Sequence, residues 1–138
     1  MLNMPEKFKI ISTAEDIKLR VFGKDKDELF KNAAAGMLSV LKPSCTKEVV
    51  ERKIMVEADD AENLLLEFLN EVLYQMRINK ECYQEFDLKF KNENKLEARL
   101  KGVSLRGFGG ELKRGAYCDL RIWRNEREEL ECEVVFDI

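Results

Sequence analysis

The chemistry this chain could do gathers at its last residues. Leu130-Glu131-Cys132-Glu133-Val134-Val135-Phe136-Asp137-Ile138 places apolar side chains at 130, 132, 134, 136 and 138. A period of two predicts a strand with one buried face, docked rather than trailing as a disordered tail. Asp137 falls on the opposite face, one peptide from the carboxylate that follows Ile138. Two carboxylates held together at a strand end are a good beginning for a hard-cation site. The competing reading is an edge strand whose last acid simply meets water.

Other chemistries are excluded by what the sequence lacks. There is no histidine among the 138 residues, which removes Ser/His/Asp and Cys/His catalysis and the commonest general base near neutral pH. Cys45, Cys82, Cys118 and Cys132 are far apart. A zinc site wants close ligand pairs, so four reduced, buried thiols are expected instead. A net charge of −3 with 37% charged residues argues against direct nucleic-acid binding, which needs a basic surface. No run of about 18 apolar residues predicts a membrane span. The opening Met1-Leu2-Asn3-Met4-Pro5-Glu6-Lys7 has no apolar signal core, which predicts a cytoplasmic protein.

The elements that must position Asp137 follow from periodicity. Phe8 and Ile10 begin a short strand, and Ile17, Leu19 and Val21 a clearer one with Asp16, Lys18 and Arg20 on its other face. Asp25 is placed to cap a helix carrying Leu29, Phe30, Ala33, Ala34, Met37, Leu38 and Leu41, which Pro43 ends. Ile54 and Val56 mark a third strand. Asp59 and Glu62 are spaced like an acidic capping box before a second helix with the stripe Leu65, Phe68, Leu69, Val72, Leu73 and Met76. Four strand-like stretches follow, 82–90, 95–103, 111–124 and 127–138, with turns at Asn92-Glu93-Asn94 and Asn125-Glu126 and a flexible link at Gly107-Phe108-Gly109-Gly110. The prediction is a single α+β domain over 1–138, of order ββαβαββββ: a two-layer arrangement in which two amphipathic helices cover one face of a mostly antiparallel sheet.

Three segments in this order resemble the archease family. Ser12-Thr13-Ala14-Glu15-Asp16-Ile17, then Phe22-Gly23, then Asp25-Lys26-Asp27-Glu28-Leu29-Phe30 with Asn32-Ala33-Ala34, resembles the family's His-Thr-Ala-Asp-[Val/Ile] motif, aromatic-Gly pair and first helix start. Asp60-Ala61-Glu62-Asn63-Leu64-Leu65-Leu66-Glu67-Phe68-Leu69-Asn70-Glu71-Val72-Leu73-Tyr74 is similar to its Leu-Leu-x-x-[Trp/Phe]-Leu-Asn-Glu-Leu-Leu-Tyr helix. Glu111-Leu112-Lys113, Tyr117 and the closing Val134-Val135-Phe136-Asp137-Ile138 resemble its last motifs. The departures are specific. Aligned without a gap on Asp16, Thr13 stands at the motif histidine; aligned on the Thr-Ala pair, Ser12 does and Glu15 is inserted. Arg114-Gly115 replace the usual Ala-[Val/Ile], and Cys118 stands where a histidine is frequent.

The resemblance implies that Asp16, Asp137 and the terminal carboxylate of Ile138 bind a divalent cation, Ca²⁺ ahead of Mg²⁺ or Mn²⁺. All-oxygen ligands favour these ions over zinc, and antiparallel neighbours would bring the start of one strand beside the end of the other. Lys113 and Tyr117, four apart on one strand, would shape a functional surface; Asn70 and Glu71 are expected to be structural. The resemblance also implies the role: an accessory protein, not an enzyme, that activates the GTP-dependent RNA ligase of tRNA splicing and RNA repair. It would promote guanylylation and multiple turnover of that ligase. The alternatives are a chaperone or modulator of RNA-modifying enzymes such as tRNA methyltransferases, a metal-dependent hydrolase, and an archease fold that has lost ligase activation.

Overall fold

The structure, a computed structural model, describes residues 6–13, 16–110, 116–117 and 120–137, with the backbone alone for Ala116, Tyr117 and Asp137. In chain order the elements are β1 (Phe8–Ser12), β2 (Asp16–Gly23), α1 (Lys26–Leu41), β3 (Pro43–Glu57), α2 (Ala61–Asn79), β4 (Glu81–Asn92), β5 (Lys95–Phe108), β6 (Ala116–Tyr117), β7 (Ile122–Arg124) and β8 (Leu130–Asp137). This is the α+β arrangement expected, with helices packed on antiparallel strands. The strands divide between two sheets. One has the order β1-β2-β8, with β6 and β7 both on the free edge of β8; the other has the order β3-β5-β4.

Helix α1 begins where Asp25 predicts, its carboxylate accepting from the Glu28 amide at 2.9 Å. The cap of α2 is Asp60 rather than Asp59, accepting from the Asn63 amide at 2.8 Å, because the first helical residue is Ala61. Both acids sit at the positive ends of their helices, where unpaired amides point outward. The predicted stripes are the buried faces, Leu29, Phe30, Ala33, Ala34, Met37 and Leu41 on α1 and Leu65, Phe68, Leu69, Val72, Leu73 and Met76 on α2, with Leu38 of the α1 stripe only partly buried against the core. Phe30 stacks against Phe68 with ring centroids 5.7 Å apart and meets Phe90 edge-on at 5.2 Å, joining both helices to β4 in one core.

Two further expectations are corrected. The 111–124 stretch is not one strand: β6 pairs with Val135 and Phe136, and β7 with Leu130, Glu131 and Cys132. Leu120, between them, turns into the core. Gly107-Phe108-Gly109-Gly110 is not a flexible link. Gly107 and Phe108 extend β5 against Ser44 and Pro43, and the Gly109 and Gly110 amides donate to the carbonyls of Lys42 and Leu41 at 2.7 and 2.9 Å. The end of a helix leaves carbonyls without intrahelical donors, and this glycine run supplies them.

The β2–β8 ladder matters most. Its core face pairs Ile17 with Phe136, Leu19 with Val134 and Val21 with Cys132. A slip of one residue would turn those six apolar side chains to solvent and bury a charged row. The register is therefore dictated by hydrophobic burial, and what it places on the other face follows automatically.

Candidate metal centre and its surroundings

The outer face of the β2–β8 ladder opens with Asp16 directly opposite Asp137. Like charges at opposed positions on neighbouring strands repel. The next pairs along the ladder are Lys18 with Val135, Arg20 with Glu133 and Phe22 with Glu131. There the charges are matched: Arg20 Nη2 lies 3.1 Å from Glu133 Oε2, Arg20 Nε 3.6 Å from Glu131 Oε2, and Lys18 Nζ 4.0 Å from Glu133 Oε1. Among the described residues no lysine or arginine pairs with Asp16. Among the described residues the ion pairs lie along the face, and Asp16 stands at its end without one.

The β1–β2 hairpin positions Asp16. After Ser12 pairs with Ile17, the Thr13 amide donates to the Asp16 carbonyl at 2.9 Å. The Asp16 amide donates to Thr13 Oγ1 at 3.1 Å, and the Thr13 hydroxyl donates to Asp16 Oδ1 at 2.7 Å. At the other end of β2, the helix itself fixes the strand. Asn32, nearly buried, donates from Nδ2 to the Phe22 carbonyl at 2.7 Å. Gly23 lies so close to the first turn of α1 that a Cβ there would be 2.4 Å from the Leu29 amide nitrogen. This accounts physically for the Phe22-Gly23 pair and for Asn32: one admits the helix, the other ties it down.

Of the residues singled out in the sequence, Asp16 and Asp137 are brought together by register. Tyr117 pairs with Val135, two residues from Asp137 on the same strand. Ile138, Glu15, Lys113 and Cys118 lie outside the described residues. Asn70 and Glu71 are half-buried on α2, where Glu71 Oε1 accepts from Gln75 Nε2 at 3.0 Å. Cys82 and Cys132 are buried free thiols, but Cys45 is only half-buried. Burial pushes the Cys132 thiol up to about 12, with Glu131 and Glu133 adding to the effect. Such a thiol is inert as a nucleophile.

The donor chemistry of the acid pair fits a hard divalent cation, because carboxylate oxygens are what such ions select. Among the described residues no group of three His, Cys, Asp or Glu side chains forms a cage, so Asp16 and Asp137 would need further oxygens. A groove of about 330 Å³ on the same face, lined by Lys9, Arg20, Phe22, Asn125, Arg127 and Glu131, is separate from the acid pair. Arg20 is four residues along β2 from Asp16, about 13 Å.

One polar cluster had no signal in the sequence. Arg52 on β3 forks onto Glu81, Nε to Oε1 at 2.8 Å and Nη2 to Oε2 at 3.0 Å, and the buried Tyr83 hydroxyl donates to Glu81 Oε1 at 2.6 Å. The Arg52 guanidinium, helped by Tyr83, holds the Glu81 carboxyl below the usual range against the opposing effect of burial. Burial and the hydrogen bond to Glu81 push the Tyr83 phenol up to about 12. The cluster is satisfied internally and is a structural lock.

The fold and the acid pair define a class: a small α+β protein whose second and last strands pair with an aspartate from each at one end of the ladder. Comparison with known proteins narrows this to a family. Residues 8–138 match the model of the Archease protein family, and the chain belongs to that family. It is 30% identical over 89 residues to the protein archease of Methanosarcina barkeri, a match spanning 62% of this chain and 60% of that protein. With the Methanosarcina mazei protein archease it shares 27% identity over 107 residues, 75% of this chain and 72% of the relative. Two solved structures share the fold, each with a TM-score of 0.68. The solution structure of Methanobacterium thermoautotrophicum protein 1598 is 20% identical and covers 96% of this chain and 99% of its own. The 2.0 Å crystal structure of a Thermotoga maritima archease, described as a possible chaperone, is 18% identical and covers 100% of this chain and 98% of its own.

Proposed function

We propose that this protein is the accessory factor of a GTP-dependent RNA ligase of tRNA splicing and RNA repair, acting through a divalent cation held by Asp16, Asp137 and the terminal carboxylate of Ile138. The observation that carries this reading is the direct opposition of Asp16 and Asp137 in the β2–β8 register. Two like charges set face to face at the end of a ladder whose other charges are matched need a counter-charge. When bound, the cation supplies positive charge for anionic oxygens at the ligase centre. The residues of this chain would hold and present it, with the hydrophobic register setting the two acids level. Guanylylation, bond formation and RNA binding belong to the ligase, consistent with a chain that has no histidine and whose buried Cys132 is protonated.

The test is multiple-turnover RNA ligation by the cognate ligase. Wild-type protein should raise the number of products per ligase, and Asp16→Ala and Asp137→Ala should each abolish the stimulation. Stimulation retained in both variants would remove the cation from the account. It would then favour a metal-independent chaperone or modulator of RNA-modifying enzymes; the Thermotoga maritima relative is described as a possible chaperone.

A further inference from the structure

We infer that Thr13 is the positioning residue of the cation site, its hydroxyl fixing the Asp16 carboxylate in one orientation through Oδ1 and leaving Oδ2 as the ligand; the inference rests on the cation reading proposed above. The geometry is reciprocal. The Thr13 oxygen accepts from the Asp16 amide at 3.1 Å; its single proton has two acceptors in reach, Asp16 Oδ1 at 2.7 Å and the Asp16 carbonyl at 3.2 Å, and the shorter bond to the carboxylate is the one that orients it. A hydroxyl donating to a carboxylate forms one of the stronger and shorter classes of hydrogen bond. The backbone adds a third link, Thr13 N–H to the Asp16 carbonyl at 2.9 Å. Thr13 and Asp16 therefore close the hairpin as one unit, and the carboxylate leaves it in a set direction.

The energetic case follows from repulsion. Without a cation, the Asp16 carboxylate would lower its energy by swinging away from Asp137. The Thr13 proton opposes that swing. An acid already held in place loses less conformational freedom when a cation arrives, which raises affinity without any new ligand. The β-branched threonine is suited to the role because its own χ1 is restricted. Groups that orient metal ligands are commonly worth about 10–100-fold in affinity.

The experiment is calorimetric titration of Ca²⁺ into the full chain, for wild type, Thr13→Ser, Thr13→Val and Asp16→Ala, with cation-free melting temperatures measured alongside. Binding by wild type, retained within a few-fold by Thr13→Ser and weakened about 10–100-fold by Thr13→Val, is the result expected. If wild type and Thr13→Val bind equally while Asp16→Ala does not bind, Thr13 has no positioning role and the cation site stands. Equal weakening in the serine and valine variants would also overturn the hydroxyl's part. If wild type takes up no Ca²⁺, the cation reading fails, and the inference with it. Should Thr13→Val not fold, Thr13→Ala makes the same comparison with the hydroxyl removed and no bulk added.

Discussion

At the residue scale, the chain separates charges that are paired from charges that are not. Glu81 shows the first kind. Its carboxylate is almost fully buried, yet the fork of Arg52 and the Tyr83 hydroxyl keep it ionised. Because its folded-state pKa is depressed, its stabilisation is present above the ordinary glutamate range and is lost as pH falls through the folded value. Thermal melts from pH 6 to pH 3 should therefore show a smaller acid-side loss for Glu81→Gln than for wild type, setting in below about pH 4.3. Parallel acid limbs in the two proteins would contradict this. Tyr83, raised to about 12, works the opposite way: its contribution is intact below about pH 10 and is lost as pH rises through the folded value. Asp16 is different: among the described residues no lysine or arginine pairs with it, and a threonine hydroxyl holds it. The sequence shows Thr13 three residues from Asp16, but not their bonds, which need the hairpin closed. Arg52 and Glu81 are farther apart still, 29 residues, and no local pattern links them.

At the element scale, periodicity was readable and pairing was not. Both helices, their buried stripes and the Asp25 cap follow from spacing alone, because a helix satisfies its own backbone and shows its core face in its own sequence. Strands lack that independence. The 15 residues of β3 include the predicted Ile54 and Val56, but its first half is polar and is strand only because β5 pairs with it. The same holds for Gly107 and Phe108, whose composition reads as a link and whose partners lie more than 60 residues earlier. Close approach of backbones gives a sharp prediction here. A Cβ on Gly102 of β5 would lie 1.8 Å from the Cys82 carbonyl oxygen of β4, whereas one on Gly107 meets nothing within 4 Å. Gly102→Ala should cost about 3 kcal/mol or more, at or beyond the upper end of ordinary point substitutions. Gly107→Ala should be neutral or stabilising by about 0.5–1 kcal/mol, as expected where alanine replaces glycine in a strand without strain. Denaturant titration measures both, and equal effects would mean that β4 is not pressed onto β5 as described.

At the scale of the whole molecule, one core joins two sheets with different surfaces. The outer face of the β3-β5-β4 sheet is a lattice of matched charges, with Lys53 at 2.6 Å and Lys91 at 3.3 Å from Glu97, and Lys95 at 3.4 Å from Glu57. Exposed pairs of this kind contribute little to stability and present a surface without an excess of either sign. The other sheet carries its imbalance at one end, where the first hairpin and the last strand meet. Asp16 and Asp137 each bound an alternating stretch of the sequence, but only the family resemblance implied that they come together; the β2–β8 pairing that sets them opposite each other is read from the fold. Which residues complete the site was not legible, since register fixes two acids and the remaining oxygens depend on neighbours.

The measurement that tests the central claim most directly is guanylylation of the cognate ligase, followed as GMP incorporated per ligase. It should be run with Ca²⁺ or Mg²⁺ supplied and with wild type, Asp16→Ala or Asp137→Ala added. The account predicts that folded wild-type protein raises incorporation and that both aspartate variants, folded to the same extent, do not. Incorporation unchanged by wild type, or raised equally by wild type and both variants, would contradict it.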